Sequence, residues 1–344
     1  MEFACNISVC RNAYVHALGA ALLLGTLSML FAEVFSGASR MWFLDVGAWI
    51  LAFPLYLGHA LFFLWIALNT GRIKVEQLYL FGVLFGLYES WITKVLWAGY
   101  LDQNGPGFGY VFGMAVPETL ILVFFWHPFL AFMVPLLVYE VFSGKSLASH
   151  EKVLVKTRKR TLLLALFCVL TGAFIANGNG LNPGYVMFSL GGTLVVVLML
   201  SGFARIRDVL SFNYAKKWFV LLFVYLLVLY VLSFFIIRPD KIPKALSPYL
   251  SVILLYALAG FLLYITPGTE LKVTSLSTQH YSRLDVCIFC AMALCSALVF
   301  CFILRITVIP LLFFYLALCL IGPAVFLFVL YRIFAGRKTC VTRA

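Results

Sequence analysis

Apolar residues run along this chain in blocks of about twenty, and short polar segments separate the blocks. A helix rises 1.5 Å per residue, so a block of this length spans the hydrocarbon core of a bilayer. The pattern predicts an all-α, polytopic integral membrane protein with about ten transmembrane helices. We expect the ten helices near residues 13–35, 46–68, 77–97, 117–142, 161–176, 185–203, 218–237, 249–266, 286–304 and 306–332.

The composition agrees with this pattern. Of the 344 residues, 64% are hydrophobic and 11% are charged. An ordinary soluble domain carries about a quarter charged residues, so this chain lacks the polar surface that a soluble protein needs. The sequence therefore predicts a multi-pass integral protein of the cell membrane or an endomembrane, with the lipid bilayer as its first partner.

The basic residues lie mainly in the short segments between apolar blocks. If the N-terminus is cytosolic, 19 of the 25 lysines and arginines fall on the cytosolic side and five fall outside. The positive-inside rule then predicts that both termini are cytosolic. The net charge of +12 is therefore interpreted as the charge of cytosolic loops that contact anionic lipid headgroups. Nucleic acid is not predicted as a partner.

Polar and aromatic residues divide the chain unevenly. Six of the seven tryptophans precede residue 127, and so do the ionisable residues deep inside predicted helices. We therefore predict that a bundle of four helices, residues 1–143, carries the functional site. Residues 144–160 are predicted to form a solvated basic cytosolic loop, and residues 161–344 an apolar scaffold of six helices with a basic tail.

Three ionisable side chains are predicted at the middle of the membrane. Glu89 lies on the third helix, His127 on the fourth and His59 on the second, all at a similar depth. An ionisable group in hydrocarbon is costly, so it usually faces a partner or a wet cavity. The sequence predicts a contact between Glu89 and His127 and makes all three residues candidates for a catalytic or proton-exchanging role.

A second polar layer is predicted nearer the outer surface. Lys94 and Glu118 lie at the same depth on the third and fourth helices, and this register predicts a contact between them. Asn177 and Asn179 belong to a turn that faces the same side. Together with Glu33 and Asp45 at the outer edge, these residues are expected to line a cavity open to the outside. Lys94, Glu118, Asn177 and Asn179 are the predicted substrate-binding residues.

The connection of residues 98–116 is rich in both glycine and aromatic residues. A solvated loop carries fewer aromatic residues, and a helix carries fewer glycines. Two interpretations fit: a segment that folds back over the cavity mouth, or an interfacial loop with aromatic anchors.

No catalytic motif identifies the chemistry. The chain lacks an H-E-x-x-H zinc motif and a G-x-S-x-G nucleophile elbow. The pair Cys287 and Cys290 has C-x-x-C spacing but no second ligand pair, so we expect buried, inert thiols and predict neither metal nor cofactor.

Three functions fit the polar residues. The first is a transporter or ion-coupled carrier of a small solute, in which Glu89 and a histidine exchange protons. The second is an intramembrane enzyme that acts on a lipid-linked or extracytoplasmic substrate with Glu89 and His127. The third is a non-catalytic scaffold or complex subunit, in which the polar residues hold helices together. The ligand would be a small molecule for the carrier and a lipid-linked compound for the enzyme.

Overall fold

The computed structural model describes the backbone of residues 7–100, 108–203 and 206–341. Side chains are described for residues 16–100, 108–202 and 206–335. Contacts divide the chain into two units, each assembled from three separate stretches. Unit 1 comprises residues 1–65, 134–214 and 271–312, and unit 2 comprises residues 66–133, 215–270 and 313–344. The predicted division into a functional bundle (residues 1–143), a basic loop (144–160) and a scaffold (161–344) stays a prediction.

Helices make up nearly all of the described structure. The α-helices are α1 Ile7–Met29, α2 Phe53–Thr70, α3 Val75–Thr93, α4 Val95–Ala98, α5 Val116–Glu118, α6 Val134–Ser143, α7 Glu151–Leu154, α8 Arg158–Gly178, α9 Pro183–Val186, α10 Gly192–Phe203, α11 Lys216–Ile236, α12 Ser247–Ile265, α13 Arg283–Ile303 and α14 Ile309–Val341. Four π-helical segments adjoin them at Leu30–Val34, Ala48–Ala52, Thr119–Met133 and Met187–Gly191. Three short 3-10 helices lie at Trp42–Leu44, Val209–Phe212 and Pro239–Lys241. Two short strand pairs complete the list: β1 Tyr110–Val111 with β2 Met114–Ala115, and β3 Lys145–Leu147 with β4 Val273–Ser275.

Within the described residues, nine helical stretches are long and apolar enough to cross a membrane. They match nine of the ten predicted helices. The predicted third helix is present as α3, with 19 residues, but Glu76, Gln77 and Glu89 reduce its apolar character. Most of the α3 side chains are buried inside the protein. A helix shielded by protein can keep polar residues that a lipid-facing helix would expose to hydrocarbon.

Several helix starts follow capping residues in the sequence. The Thr157 hydroxyl accepts a hydrogen bond from the Arg160 amide at the start of α8, and Asn182 caps α9 in front of Pro183. Ser282 and Asp285 form a capping box at the start of α13. These bonds satisfy amide groups that the first turn of a helix leaves without a partner.

Unit 1 contains a close pair of helices, α8 and α13. In α8, a Cβ atom on Gly172 would lie 2.5 Å from the Ser296 Oγ of α13, so glycine permits this approach. The Ser296 hydroxyl donates to the Val169 carbonyl at 2.6 Å, which ties the two helices together with a polar bond. Such small-residue contacts and interhelical hydrogen bonds hold helices together where lipid removes the hydrophobic driving force.

The prediction that residues 144–160 form a solvated loop is wrong for part of the segment. β3 pairs with β4, and Leu147, His150 and Leu154 are buried. Leu154 packs with Val141 and Tyr281 in a small apolar cluster. The strand pairing satisfies backbone groups that a solvated loop would give to water, and the apolar contacts bury the leucines. The basic side chains of the segment are exposed, namely Lys145, Lys152, Lys156, Arg158, Lys159 and Arg160.

Residues 101–107 of the glycine-rich connection lie outside the described residues, so neither interpretation of the whole connection is tested. The part that follows forms the β1–β2 hairpin. Gly109 and Gly113 have positive φ angles of 75° and 77°, which glycine adopts without steric cost. A Cβ atom on Gly113 would also lie 2.7 Å from the ring of Pro248. Two of the glycines are therefore explained by backbone geometry.

Unit 2 depends on a close contact between α3 and the π-helical segment Thr119–Met133. Gly82 and Gly86 are four residues apart and share one face of α3. Cβ atoms on them would lie 2.4 Å from Pro128 Cα and 3.1 Å from the Leu122 carbonyl oxygen. This G-x-x-x-G pair removes two side chains that would otherwise hold the backbones apart.

We expect Gly82→Ala to destabilise the protein by about 2 kcal/mol, because an added methyl group must displace backbone atoms of Pro128. The matched control is Gly260→Ala in α12, where an added Cβ meets no described atom within 4 Å. Thermal unfolding of both variants in the same detergent measures the difference. An unchanged melting temperature for Gly82→Ala would contradict the packing argument.

Candidate functional site

Glu89 lies on the same face of α3 as the two glycines. Positions 82, 86 and 89 are spaced by four and three residues, which places them along one helical stripe. That stripe contacts the π-helical segment, and Glu89 Oε2 lies 3.2 Å from His127 Nε2. The predicted contact between Glu89 and His127 is therefore confirmed.

His127 belongs to a region of unusual backbone. The segment Thr119–Met133 is π-helical over 15 residues and contains Pro128. Proline has no backbone N–H, so a carbonyl on the preceding turn loses its usual donor. The Tyr79 hydroxyl of α3 donates to the Phe124 carbonyl at 2.7 Å, in the turn that precedes Pro128. Long π-helical stretches are rare, and π-bulges occur frequently at functional sites.

The contacts of His127 define where its protons lie. Its Nδ1 atom is 3.1 Å from the Leu122 carbonyl oxygen, which can only accept, so Nδ1 carries a proton. Nε2 faces the Glu89 carboxyl group. One further proton must lie between these two atoms, either on Nε2 or on Glu89 Oε2, because two lone pairs would otherwise face each other. The pair is neutral as a whole in either form.

The two partners differ in access to their surroundings. The His127 side chain is 3% exposed and that of Glu89 is 15% exposed. The Phe85 ring also lies 5.7 Å from the His127 ring. Glu89 is therefore the more accessible of the two partners, while protein surrounds His127.

The predicted contact between Lys94 and Glu118 is wrong. Lys94 adopts a left-handed conformation with φ 59° and is fully buried at the junction of α3 and α4. Its ammonium group lies 2.5 Å from both the Phe234 and the Ile237 carbonyl oxygens and 3.0 Å from that of Ser233. These carbonyls belong to the last turn of α11 and to Ile237, the residue that follows it, at the negative end of the helix dipole. Lys94 therefore caps α11.

Glu118 has a different partner. Its Oε1 atom accepts a hydrogen bond from the Tyr100 amide at 3.1 Å, and the residue is 2% exposed. Its Oε2 atom has no hydrogen-bond partner among the described residues. Glu118 therefore links the start of its helix to the backbone that follows α4 through one oxygen and leaves a buried acceptor on the other.

Three further predicted site residues belong to unit 1 and not to the unit of Glu89 and His127. His59 is 1% exposed, and its Nδ1 atom lies 2.8 Å from the Leu55 carbonyl oxygen on its own helix. Asn179 is buried, and its amide nitrogen donates to the Ile175 carbonyl at 2.8 Å. Asn177 is exposed at the end of α8. The roles predicted for these residues stay predictions.

The sequence reasoning missed a second buried acid–histidine pair. Glu140 Oε1 lies 2.8 Å from His150 Nδ1, and both side chains are fully buried in unit 1. The same oxygen accepts a hydrogen bond from the Leu147 amide at 3.2 Å. An acidic residue inside the apolar end of α6 was the signal that could have located this pair. Its second bond runs to the backbone of β3, so this pair anchors the β3–β4 region to α6.

The described residues hold no group of three or more His, Cys, Asp or Glu side chains arranged to bind a metal ion.

Comparisons with known proteins identify a family. The model of an uncharacterized membrane protein family matches residues 22–343 of the chain. An uncharacterized protein of Archaeoglobus fulgidus is 32% identical over 251 residues, which cover 70% of this chain and 76% of that protein. No solved structure matches the chain. The chain belongs to this membrane protein family, and the nine long apolar helices among the described residues agree with a multi-pass integral membrane protein.

We expect Lys94→Met to lower stability by about 3 kcal/mol, because it leaves the carbonyl groups at the end of α11 without their charged donor. Thermal unfolding in detergent measures the loss. Lys244→Met, at an exposed lysine of the same unit, is the control. Equal stability of the two variants would show that the cap of α11 is energetically unimportant.

Proposed function

We propose that this member of the membrane protein family carries a small solute across the bilayer and couples its movement to a proton. The proton would be the one shared by Glu89 and His127. The observation that supports this proposal is the contact of 3.2 Å between the two side chains, with Nδ1 of the histidine already committed to a carbonyl. A carrier needs such a group, because it must bind and release a proton while remaining folded.

The backbone around His127 also supports a carrier. Transporters place their coupling sites where a helix is interrupted, since freed backbone groups and altered geometry allow two arrangements of the site. The π-helical segment and Pro128 provide such an interruption one residue from the histidine. Rearrangement of this segment would change the distance between His127 and Glu89 and thereby their affinity for the shared proton.

We also propose that anionic lipid headgroups contact the exposed basic residues of segment 144–160, on the cytosolic side predicted from the charge distribution. Lys152, Lys156 and Arg160 are among them, and each exposed basic residue near an anionic surface contributes about 1 kcal/mol of attraction.

The carrier and the scaffold hypotheses differ in what they require of Glu89. A scaffold needs only a hydrogen bond to His127, whereas a carrier needs a titrating group. Glutamine separates the two requirements, because its amide nitrogen can donate to Nε2 of His127 but cannot exchange a proton. An intramembrane enzyme would lose turnover in the same variant but would show no solute flux in the wild type.

We expect Glu89→Gln to retain stability within about 1 kcal/mol, since it keeps a hydrogen bond to His127, and to abolish proton-driven uptake. The assay is solute-evoked current from proteoliposomes on a solid-supported membrane. Amino acids, organic acids and sugars serve as test solutes, with an imposed pH gradient.

The matched control is Asp240→Asn, an acid of the same unit whose side chain is 68% exposed. It should retain wild-type currents. Undiminished pH-dependent current in Glu89→Gln, or the absence of current from the wild type with every test solute, would overturn the carrier proposal.

A further inference from the structure

A cavity in unit 1 lies at the turn between the first two candidate membrane spans, and its wall contains neither Glu89 nor His127. Its volume is about 510 Å³, and its wall includes Ser39, Arg40, Trp42, Asp45 and Gly178. Small-molecule sites typically have volumes of about 300–1,000 Å³. Since this turn follows the span His16–Val34 and precedes the span Ala48–Thr70, it is positioned at a membrane–water boundary.

Two opposite charges share the cavity wall without pairing with each other. Arg40 donates from Nε to the Gly178 carbonyl at 2.6 Å, and its guanidinium lies 6.0 Å from the Tyr185 ring centre. These contacts orient the group and leave its two terminal nitrogens without a protein partner in the described structure. A guanidinium held in this way presents a fork suited to a carboxylate.

Two carboxyl groups belong to this region: Asp45 lines the cavity, and Glu33 contacts the lining residue Ser39. Asp45 Oδ1 accepts a hydrogen bond from the Gly47 amide at 2.8 Å, which fixes the carboxylate. Behind the wall, the Glu33 carboxyl group accepts from the Ser39 hydroxyl at 2.6 Å and from the Tyr56 hydroxyl at 2.5 Å. Two carboxyl groups and one guanidinium therefore surround the cavity, which favours a ligand with a cationic group as well as an anionic one.

The backbone around the cavity is constrained. Met41 has a left-handed φ of 45°, and Gly37 has a φ of 77°. A Cβ atom on Gly37 would lie 2.6 Å from Gly178 Cα, so two backbones meet directly at the cavity wall. The π-helical segments Leu30–Val34 and Ala48–Ala52 flank the turn in the sequence. Such strained and π-helical backbone concentrates at ligand sites, where the fold holds the binding groups in place.

We infer that this cavity binds a small zwitterion of the α-amino-acid type. Its carboxylate would contact the terminal nitrogens of Arg40, and its ammonium group would face Asp45, with Glu33 adding negative potential through Ser39. The site is independent of the Glu89–His127 pair, so it can bind its ligand whether or not the protein is a proton-coupled carrier.

The test is isothermal titration of the full-length protein in detergent with the twenty common amino acids. Propionate carries only the carboxylate of L-alanine and ethylamine carries only its ammonium group, so the two compounds serve as ligand controls. We expect at least one amino acid to bind with a dissociation constant in the millimolar range or below. Propionate and ethylamine should each bind at least about tenfold more weakly than L-alanine, because each gives up one of the two charged contacts.

Substitutions at Arg40 and Asp45 test whether the amino acid binds in this cavity. Arg40→Gln and Asp45→Asn should each raise the dissociation constant at least about tenfold. The matched control is Arg305→Gln in the same unit, because Arg305 likewise donates to a loop carbonyl, that of Leu181 at 3.0 Å. Unchanged melting temperatures exclude misfolding, and Glu89→Gln should bind normally, which separates this site from the proposed proton coupling.

Three results would overturn the inference. They are the absence of binding by any amino acid, equal binding of propionate or ethylamine and L-alanine, and unchanged affinity in both Arg40→Gln and Asp45→Asn.

Discussion

The close approach of α3 to the π-helical segment Thr119–Met133 is the constraint on which unit 2 depends. Lipid tails are as apolar as leucine, so apolar character alone does not bring two membrane helices together. Glycine at positions 82 and 86 allows backbone contact, and this contact brings Glu89 within 3.2 Å of His127. The same approach lets Tyr79 reach the carbonyl of Phe124 in the turn that Pro128 interrupts. Helix packing, the Tyr79 hydrogen bond and the acid–histidine pair therefore share one interface.

The buried charges of this protein are satisfied in two different ways. Lys94 donates to backbone carbonyls at the end of α11, where the helix dipole already favours a cation. Glu89 and Glu140 instead face histidines, and a histidine can exchange a proton near neutral pH. The lysine contact caps a helix. The contacts of Glu89 and Glu140 each have two protonation arrangements, and of these two glutamates Glu89 is the partly exposed one.

The charged side chains at the cavity of unit 1 differ from these buried charges. Its charges lie at the boundary with water, and Arg40 and Asp45 are each fixed by a backbone group instead of by one another. Because Arg40 and Asp45 do not pair with each other, both charged groups stay free to contact a ligand. The protein thus combines a buried pair suited to a proton with an accessible wall suited to a charged solute.

Hydropathy and length by themselves determined the membrane class, nine of the ten predicted spans and the contact between Glu89 and His127, because burial in hydrocarbon restricts composition directly. The Gly82-x-x-x-Gly86 spacing is also readable in the sequence. The partner of Lys94, the order within residues 144–160 and the split of the chain into two interleaved units were decided by tertiary structure alone. Each depends on contacts between residues about 100 or more positions apart, as between Lys94 and α11 or between β3 and β4, and no local pattern encodes such contacts.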